Sequence, residues 1–370
     1  MSGPEDLQVA DALGSSAEAS SPTTRSKSAM GDYLLRVENL DVVFTTPEQD
    51  VHAVDDASFT VGERETIAIV GESGSGKSTT AMALLRLLPS PPARVSGHVW
   101  FDGKDLNALS ESELNAIRGQ HISMIFQETR ASLNPSKSVG NHLMEVLRVH
   151  RGMDKRAARD RAREMLGAVS IPDPDQVLSA FPHQLSGGMC QRVMIALGLL
   201  CDPKLMLADE PTAALDPTTG LEILELLSEL RRTVGTSVVI ITHNLALAAR
   251  FTDRVMVMYA GQIVEVGVSS EVLSRPEMPY TEGLLQSIPQ AAPRDTRRLV
   301  AIPGTALHGS QGVGCRFAAR CPYVQPNCRT ELPPLGEVRP GHWARCWYPT
   351  SARGPDFPAR SDDERMSETA

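Results

Sequence analysis

No apolar stretch in this sequence approaches the length of a membrane span. The longest, Val193 to Cys201, has nine residues, one of them glycine, against about 20 for a helix that crosses a bilayer. The first thirty residues are rich in Ser, Ala, Asp and Glu and lack both a basic start and an apolar segment. No secretory signal is read there, and a cytoplasmic chain is expected. Positive charge is also short, with 36 Lys and Arg against 45 Asp and Glu, a net −9. That balance disfavours a general affinity for nucleic-acid phosphates. Cysteine is scarce but uneven: four of the six lie between Ala291 and Thr350, a stretch with eight Arg, no Lys and three acids. In a reducing compartment such a cluster points to metal binding or free thiols before disulfides. No internal repeat at solenoid or propeller periods is evident.

What is present is a globular composition, 41% hydrophobic and 22% charged, long enough for about two domains. Residues 1–32 and 351–370 read as disordered tails without apolar periodicity. Between them the composition changes near residue 266. Before it, β-branched runs alternate with helical stretches; after it comes a Pro/Arg/Cys-rich segment, so domains over 33–266 and 267–350 are expected. Tyr33 to Phe44, Thr66 to Val70, Ile122 to Gln127, Leu205 to Asp209, Ser237 to Thr242 and Arg254 to Tyr259 read as strands. Lys77 to Leu88 reads as a helix closed by Pro89, Pro91 and Pro92, and Ser110 with Glu113 as a capping box. The pattern is α/β with a layered, mainly parallel sheet.

Gly71-Glu72-Ser73-Gly74-Ser75-Gly76-Lys77-Ser78-Thr79 matches GxxxxGK[ST], after a strand and before a helix. Its glycines let successive amides turn around phosphate oxygens at a helix N-terminus, with Lys77 meeting the phosphates and Ser78 a Mg²⁺ ion. Leu205 to Glu210 is an apolar strand ending in two carboxylates. Asp209 suits the Mg²⁺ shell and Glu210 the polarisation of an attacking water. Leu185-Ser186-Gly187-Gly188-Met189 opens an apolar helical stretch and makes a second phosphate site. One nucleotide does not need two helix N-termini from one chain, so Ser186, Gly187 and Gly188 are read as presented to a second subunit's ATP.

Phosphate loop, Gln127 at a strand end, Leu-Ser-Gly-Gly, Asp-Glu, Ala214-Leu215-Asp216 and His243 occur in that order. The series resembles the nucleotide-binding domain of ATP-binding cassette (ABC) transporters over about Leu34 to Val266. The resemblance implies a core parallel sheet with an antiparallel β subdomain and a helical subdomain. It implies further that Gln127 senses Mg²⁺ and the membrane partner, that Glu210 is the catalytic base, that His243 contacts the γ-phosphate and that Asp216 lies at a dimer seam. Phe44 stands where an adenine-stacking aromatic is expected, with Tyr33 as the alternative and a core role as the plain reading.

Ile125-Phe126-Gln127-Glu128, Ser132-Leu133-Asn134-Pro135, Pro279-Tyr280-Thr281 and the Cys-rich extension resemble the D-type ATPase subunit of dipeptide/oligopeptide importers. Cys190, Asn244 and Met278 depart from that pattern, which leaves open nickel or another small solute as cargo. The resemblance implies a homologous ATPase partner, two transmembrane permease subunits, an extracytoplasmic peptide-binding protein and a place on the cytoplasmic face of the inner membrane. A soluble cassette ATPase is the rival, opposed by the single cassette and the charge of −9. Cys315, Cys321, Cys328 and Cys346 are separated by five, six and seventeen residues. No short chelating pair is present, which speaks against zinc. Four thiolates are the ligand set of a [4Fe-4S] cluster, and Pro322 after Cys321 faintly echoes ferredoxins. Extensions of this kind in the importer family are associated with such a cluster; zinc and unligated thiols remain the alternatives.

Overall fold

The computed structural model describes residues 33–213, 215–287, 302–304, 313–355 and 357–359. The tail expected over residues 1–32 lies outside them. In chain order the strands are β1 (Leu35–Thr45), β2 (Asp50–Val61), β3 (Thr66–Val70), β4 (Ala93–Phe101), β5 (Lys104–Asp105), β6 (Ile122–Ile125), β7 (Leu205–Asp209), β8 (Ser237–Thr242), β9 (Arg254–Tyr259), β10 (Gln262–Val268), β11 (Gly336–Arg339) and β12 (His342–Ala344). The helices are α1 (Lys77–Leu84), α2 (Glu111–Ile117), α3 (Val139–Arg151), α4 (Lys155–Ala168), α5 (Pro174–Ser179), α6 (Gly187–Leu199), α7 (Pro217–Val234), α8 (Leu245–Phe251), α9 (Ser269–Ser274), α10 (Pro279–Gln286) and α11 (Pro326–Thr330).

Strands that alternate in burial, such as β1 and β4, build an antiparallel sheet in the order β2-β1-β4-β5. Strands buried along their whole length, β3, β7 and β8, sit inside an eight-stranded sheet ordered β11-β12-β10-β9-β3-β8-β7-β6. Its central pairs, β9-β3, β3-β8, β8-β7 and β7-β6, are parallel. A strand covered on both faces favours apolar side chains along its length, which is why the central residues of these runs do not alternate. One face is covered by a cluster drawn from α3, α4, α5, α6 and α7. The same face is covered over β3 and β9 by α8, Met278, Tyr280 and Phe317 from the segment after residue 266, since Ala68 of β3 pairs in register with Ile240 of β8. A third cluster joins the antiparallel sheet to α1 and to β3, β7 and β8.

Local chemistry fixes the element ends. Ser110 and Glu113 form the expected reciprocal box at the start of α2. The helix expected over Lys77 to Leu88 stops at Leu84 instead, because Arg86 takes a left-handed φ of 50°. Its guanidinium turns away to the Leu109 carbonyl at 2.7 Å, so the chain leaves the helix before its prolines act.

The composition change at residue 266 falls inside β10, and β12 from the Cys-rich segment pairs with that strand at Glu265 and Val266. The described residues from Tyr33 onward belong to one compact unit. The start of the tail expected from residue 351 is also packed. The Ser351 amide donates to Glu277 at 2.8 Å, and the Phe357 ring lies 5.3 Å from Tyr348. No helix among the described residues is long and apolar enough to cross a membrane.

Candidate functional site

Parallel strands β3, β6, β7 and β8 end at one edge of the sheet, and crossovers leave a crevice outside such an edge. The loop from β3 to α1 is Gly71–Gly76. A side chain at Gly71 would place its Cβ 2.2 Å from the Met258 carbonyl oxygen, and one at Gly76 would lie 2.3 Å from that of Ala53. Gly76 also has φ 101°, a backbone that L side chains avoid. Only glycine lets this loop turn so closely against β2 and β9. Ser73 and Gly74 are exposed at its tip. Thr79 stands one residue beyond Ser78 in the first turn of α1, half-buried.

Lys77 opens α1 and is 6% exposed. Its ammonium donates to the Gly71 and Glu72 carbonyls, each at 2.8 Å. Burial holds its pKa below the usual lysine value, while the Glu210, Asp209 and Glu72 carboxylates act the other way. Ser78 Oγ donates to Asp209 Oδ1 at 2.9 Å, so two of the three residues expected to hold Mg²⁺, the third being Gln127, already meet across 131 positions of sequence. Burial raises the Asp209 pKa, with the Ser78 bond opposing. Both effects say that this edge places charged groups where water is scarce.

Glu210 follows β7 with φ 47°, a left-handed backbone that is uncommon outside glycine. Its amide donates to the Ile241 carbonyl at 2.8 Å, which anchors the bend to β8. The side chain then points at the end of β8, where Oε2 accepts from Thr242 Oγ1 at 3.2 Å and Oε1 lies 2.9 Å from His243 Nδ1. Glu210 and His243, read from separate motifs, are therefore one pair. The Glu210 side chain is 9% exposed and that of His243 63%.

Other expected residues fall into separate places. Ser186 caps α6, accepting from the Met189 amide, and with Gly187 it faces solvent. Gly188 is half-buried, its Cβ position 3.1 Å from Thr219. Asp216 caps α7 by accepting from the Thr218 and Thr219 amides, each at 3.1 Å. Those amide bonds lower its pKa. Gln127 is exposed beyond β6 and shares a groove with Gly187, Cys190, Gln191 and Leu215. Phe44 is half-buried in β1, packed on the core between the sheet and α1, while Tyr33 is 52% exposed.

The sequence of residues 54–213 matches the family described as ABC transporter, and residues 264–328 match the oligopeptide/dipeptide transporter C-terminal region. The chain is 45% identical over 319 residues to the oligopeptide transport ATP-binding protein OppD of Escherichia coli K12, covering 86% of this chain and 94% of that one. The chain belongs to the ABC transporter ATP-binding family. Its identity to the dipeptide transport ATP-binding protein DppD of the same organism is 43% over 322 residues, 87% of this chain and 98% of the other. Among solved structures, the ATP-binding cassette MJ0796, a dimer bound to ADP and phosphate, superposes with a TM-score of 0.57 at 31% identity, covering 64% of this chain and 98% of that one. The chain is thus an ABC ATPase.

Beyond the cassette, Cys315, Cys321, Cys328 and Cys346 line one cavity together with Met278 and Trp347. All four are free thiols. Burial pushes the thiol of Cys315 up to about 11 and that of Cys346 up to about 12, and raises Cys321 further. The Tyr323 and Tyr348 amides lie 3.4 Å from the Cys321 and Cys346 sulfurs. No group of three Cys, His, Asp or Glu among the described residues is gathered so as to hold a metal ion; the thiols surround a space.

The arginines beside these cysteines are visible in the sequence as a basic stretch, but their partners are not. Arg316, Arg320, Arg329 and Arg345 each adjoin one of the four. Arg316 pairs with Asp55, Arg320 with Glu72 and Arg345 with Asp56. The Cys-Arg adjacency was the available signal, but nothing in it names the distant acid.

Proposed function

We propose that this ABC ATPase drives uptake of dipeptides and oligopeptides across the inner membrane, from its cytoplasmic face. One observation carries the reading. An edge that gathers Lys77, Ser78, Asp209, Glu210 and His243 is joined to a C-terminal region, residues 264–328, similar to that of oligopeptide/dipeptide transporters. The names of OppD and DppD support peptide cargo over nickel or another solute.

In the reaction, water attacks the γ-phosphorus, the bond to the β-phosphate oxygen breaks, and ADP and phosphate leave. The water proton passes to Glu210, whose carboxylate is aimed by Thr242 and His243. Lys77 and the loop amides of Gly71, Ser73, Gly74 and Gly76 wrap the phosphates, and Thr79 extends that cradle into α1. Ser78 and Asp209, with Gln127 approaching from its groove, would hold Mg²⁺, which neutralises charge on the phosphate oxygens. Phe44 stacks on adenine. Exposed Ser186 and Gly187, with Gly188, serve the ATP of a second, homologous ATPase subunit, and Asp216 lies at the seam between them. The dimeric state of the MJ0796 cassette supports this arrangement. Two permease subunits and an extracytoplasmic peptide-binding protein complete the assembly.

The same reading assigns a [4Fe-4S] cluster to the extension. The four cysteines line one cavity, and four thiolates are the ligand set of such a cluster. The amides beside Cys321 and Cys346 are of the kind that tune cluster sulfurs. Anaerobically purified chain should be brown, with about four iron per chain; a colourless, zinc-containing or metal-free protein contradicts the assignment.

Transport is tested by reconstituting the chain with its permeases in vesicles and measuring ATP hydrolysis with the binding protein. Stimulation by short peptides is expected. Stimulation by nickel alone, or full activity in a soluble complex without permeases, overturns the peptide reading.

A further inference from the structure

Glu72 occupies a position of the phosphate-loop motif where any residue is allowed, yet its amide, carbonyl and carboxylate are all engaged. Its amide donates to Tyr280 Oη at 2.9 Å. Its carboxylate takes two parallel bonds from Arg320, Nη1 to Oε2 at 2.7 Å and Nη2 to Oε1 at 2.9 Å. Neither partner belongs to the cassette motifs: Tyr280 lies in the first turn of α10 and Arg320 precedes Cys321. The Glu72–Arg320 pair joins residues 248 apart.

Arg320 is built into its place. It is 3% exposed, and its remaining donors reach the Pro303 carbonyl at 2.8 Å, the Ile302 carbonyl at 3.4 Å and Tyr259 Oη at 3.3 Å. All five guanidinium N–H groups therefore have acceptors. Tyr259, Tyr280 and Phe317 pack ring against ring beneath it, with centroids 4.6 to 5.4 Å apart. A bidentate guanidinium on a carboxylate fixes direction as well as distance. The carbonyl of the same Glu72 accepts from Lys77 Nζ at 2.8 Å, so the clamp and the phosphate-binding lysine meet on one residue.

We propose that Arg320 and Tyr280 are positioning residues of the ATP site, supplied by the C-terminal extension and acting through Glu72 to set the phosphate-loop backbone. The extension is thereby a working part of the nucleotide site. Because Arg320 adjoins Cys321, the segment that lines the thiol cavity also holds the loop.

The inference rests on the ATP reading of the loop, and the test separates the two. Equilibrium MgATP binding is measured on the full chain for Glu72→Gln, Arg320→Gln, Arg320→Lys, Tyr280→Phe and the Glu72→Gln/Arg320→Gln double variant, with Lys77→Ala as reference. Thermal unfolding is recorded for each. Glu72→Gln and Arg320→Gln should each weaken MgATP binding about tenfold, and the double variant no more than either alone, as expected of one coupled pair. Arg320→Lys, a point charge without the fork, should recover part of the loss. Tyr280→Phe should weaken binding about threefold with the ring packing kept. Glu72 is 30% exposed in this pair, so its variant serves if Arg320→Gln fails to fold. Native affinity in folded Glu72→Gln, or additive losses in the double variant, overturns the proposal. Native ATP binding by Lys77→Ala would instead overturn the loop assignment itself.

Discussion

At the scale of single residues, the site is governed by close approach. Gly76 combines φ 101° with a Cβ position 2.3 Å from the Ala53 carbonyl oxygen. Gly76→Ala therefore has two independent penalties and should destabilise the chain by about 3 kcal/mol, read as a lower denaturant midpoint. Gly103 has φ 78° but open space around its Cβ position. Gly103→Ala should lose only about 1 kcal/mol in the same assay. Equal losses at both positions would contradict the crowding seen at the loop. The motif residues were legible because their chemistry is local: a loop of fixed length between strand and helix needs no tertiary knowledge. The Glu210–His243 contact was not read in advance, since it depends on β7 and β8 being neighbours.

At the scale of elements, caps and strand partners decide. Asp216 accepts two amides at the start of α7. Asp216→Ala should lower unfolding stability by about 1 kcal/mol, whereas Asp216→Asn, which keeps a capping oxygen, should lose only a few tenths. A similar loss in both would show that charge rather than capping is the need. Strand β12 is tied to β10 by a buried contact, His342 Nε2 to Glu265 Oε1 at 2.6 Å, and Glu265 also accepts from the Glu277 and Met278 amides. His342→Ala leaves that carboxylate buried with fewer partners and should lower stability by about 3 kcal/mol; a loss below 1 kcal/mol by chemical unfolding would contradict the pairing. Strand existence was legible from apolar runs, but strand order was not. β3, β7 and β8 are alike in being short and mostly apolar, so nothing local places β3 between β8 and β9. The early end of α1 at Leu84 was hidden for a related reason: Arg86 takes its left-handed turn to reach carbonyls of a segment 20 residues on.

At the scale of the whole molecule, the composition change near residue 266 suggested two domains, whereas the sheet runs through it. β10 continues to Val268, and β12 extends the cassette's sheet. Three arginines carry the Cys-rich segment back to Asp55, Asp56 and Glu72. These contacts span more than 200 residues of chain, and single charged residues at such separations leave no periodic trace in a sequence. The four cysteines were visible as a set, while the cavity that unites them required the fold.

The central claim is that the edge where β3, β7 and β8 end hydrolyses ATP with Glu210 as the base. Single-turnover hydrolysis of radiolabelled ATP by the full assembly, native against Glu210→Gln, tests it most directly. The variant should bind MgATP as the native chain does and release phosphate at least about 100-fold more slowly. Phosphate release at the native rate with Glu210→Gln would contradict the account.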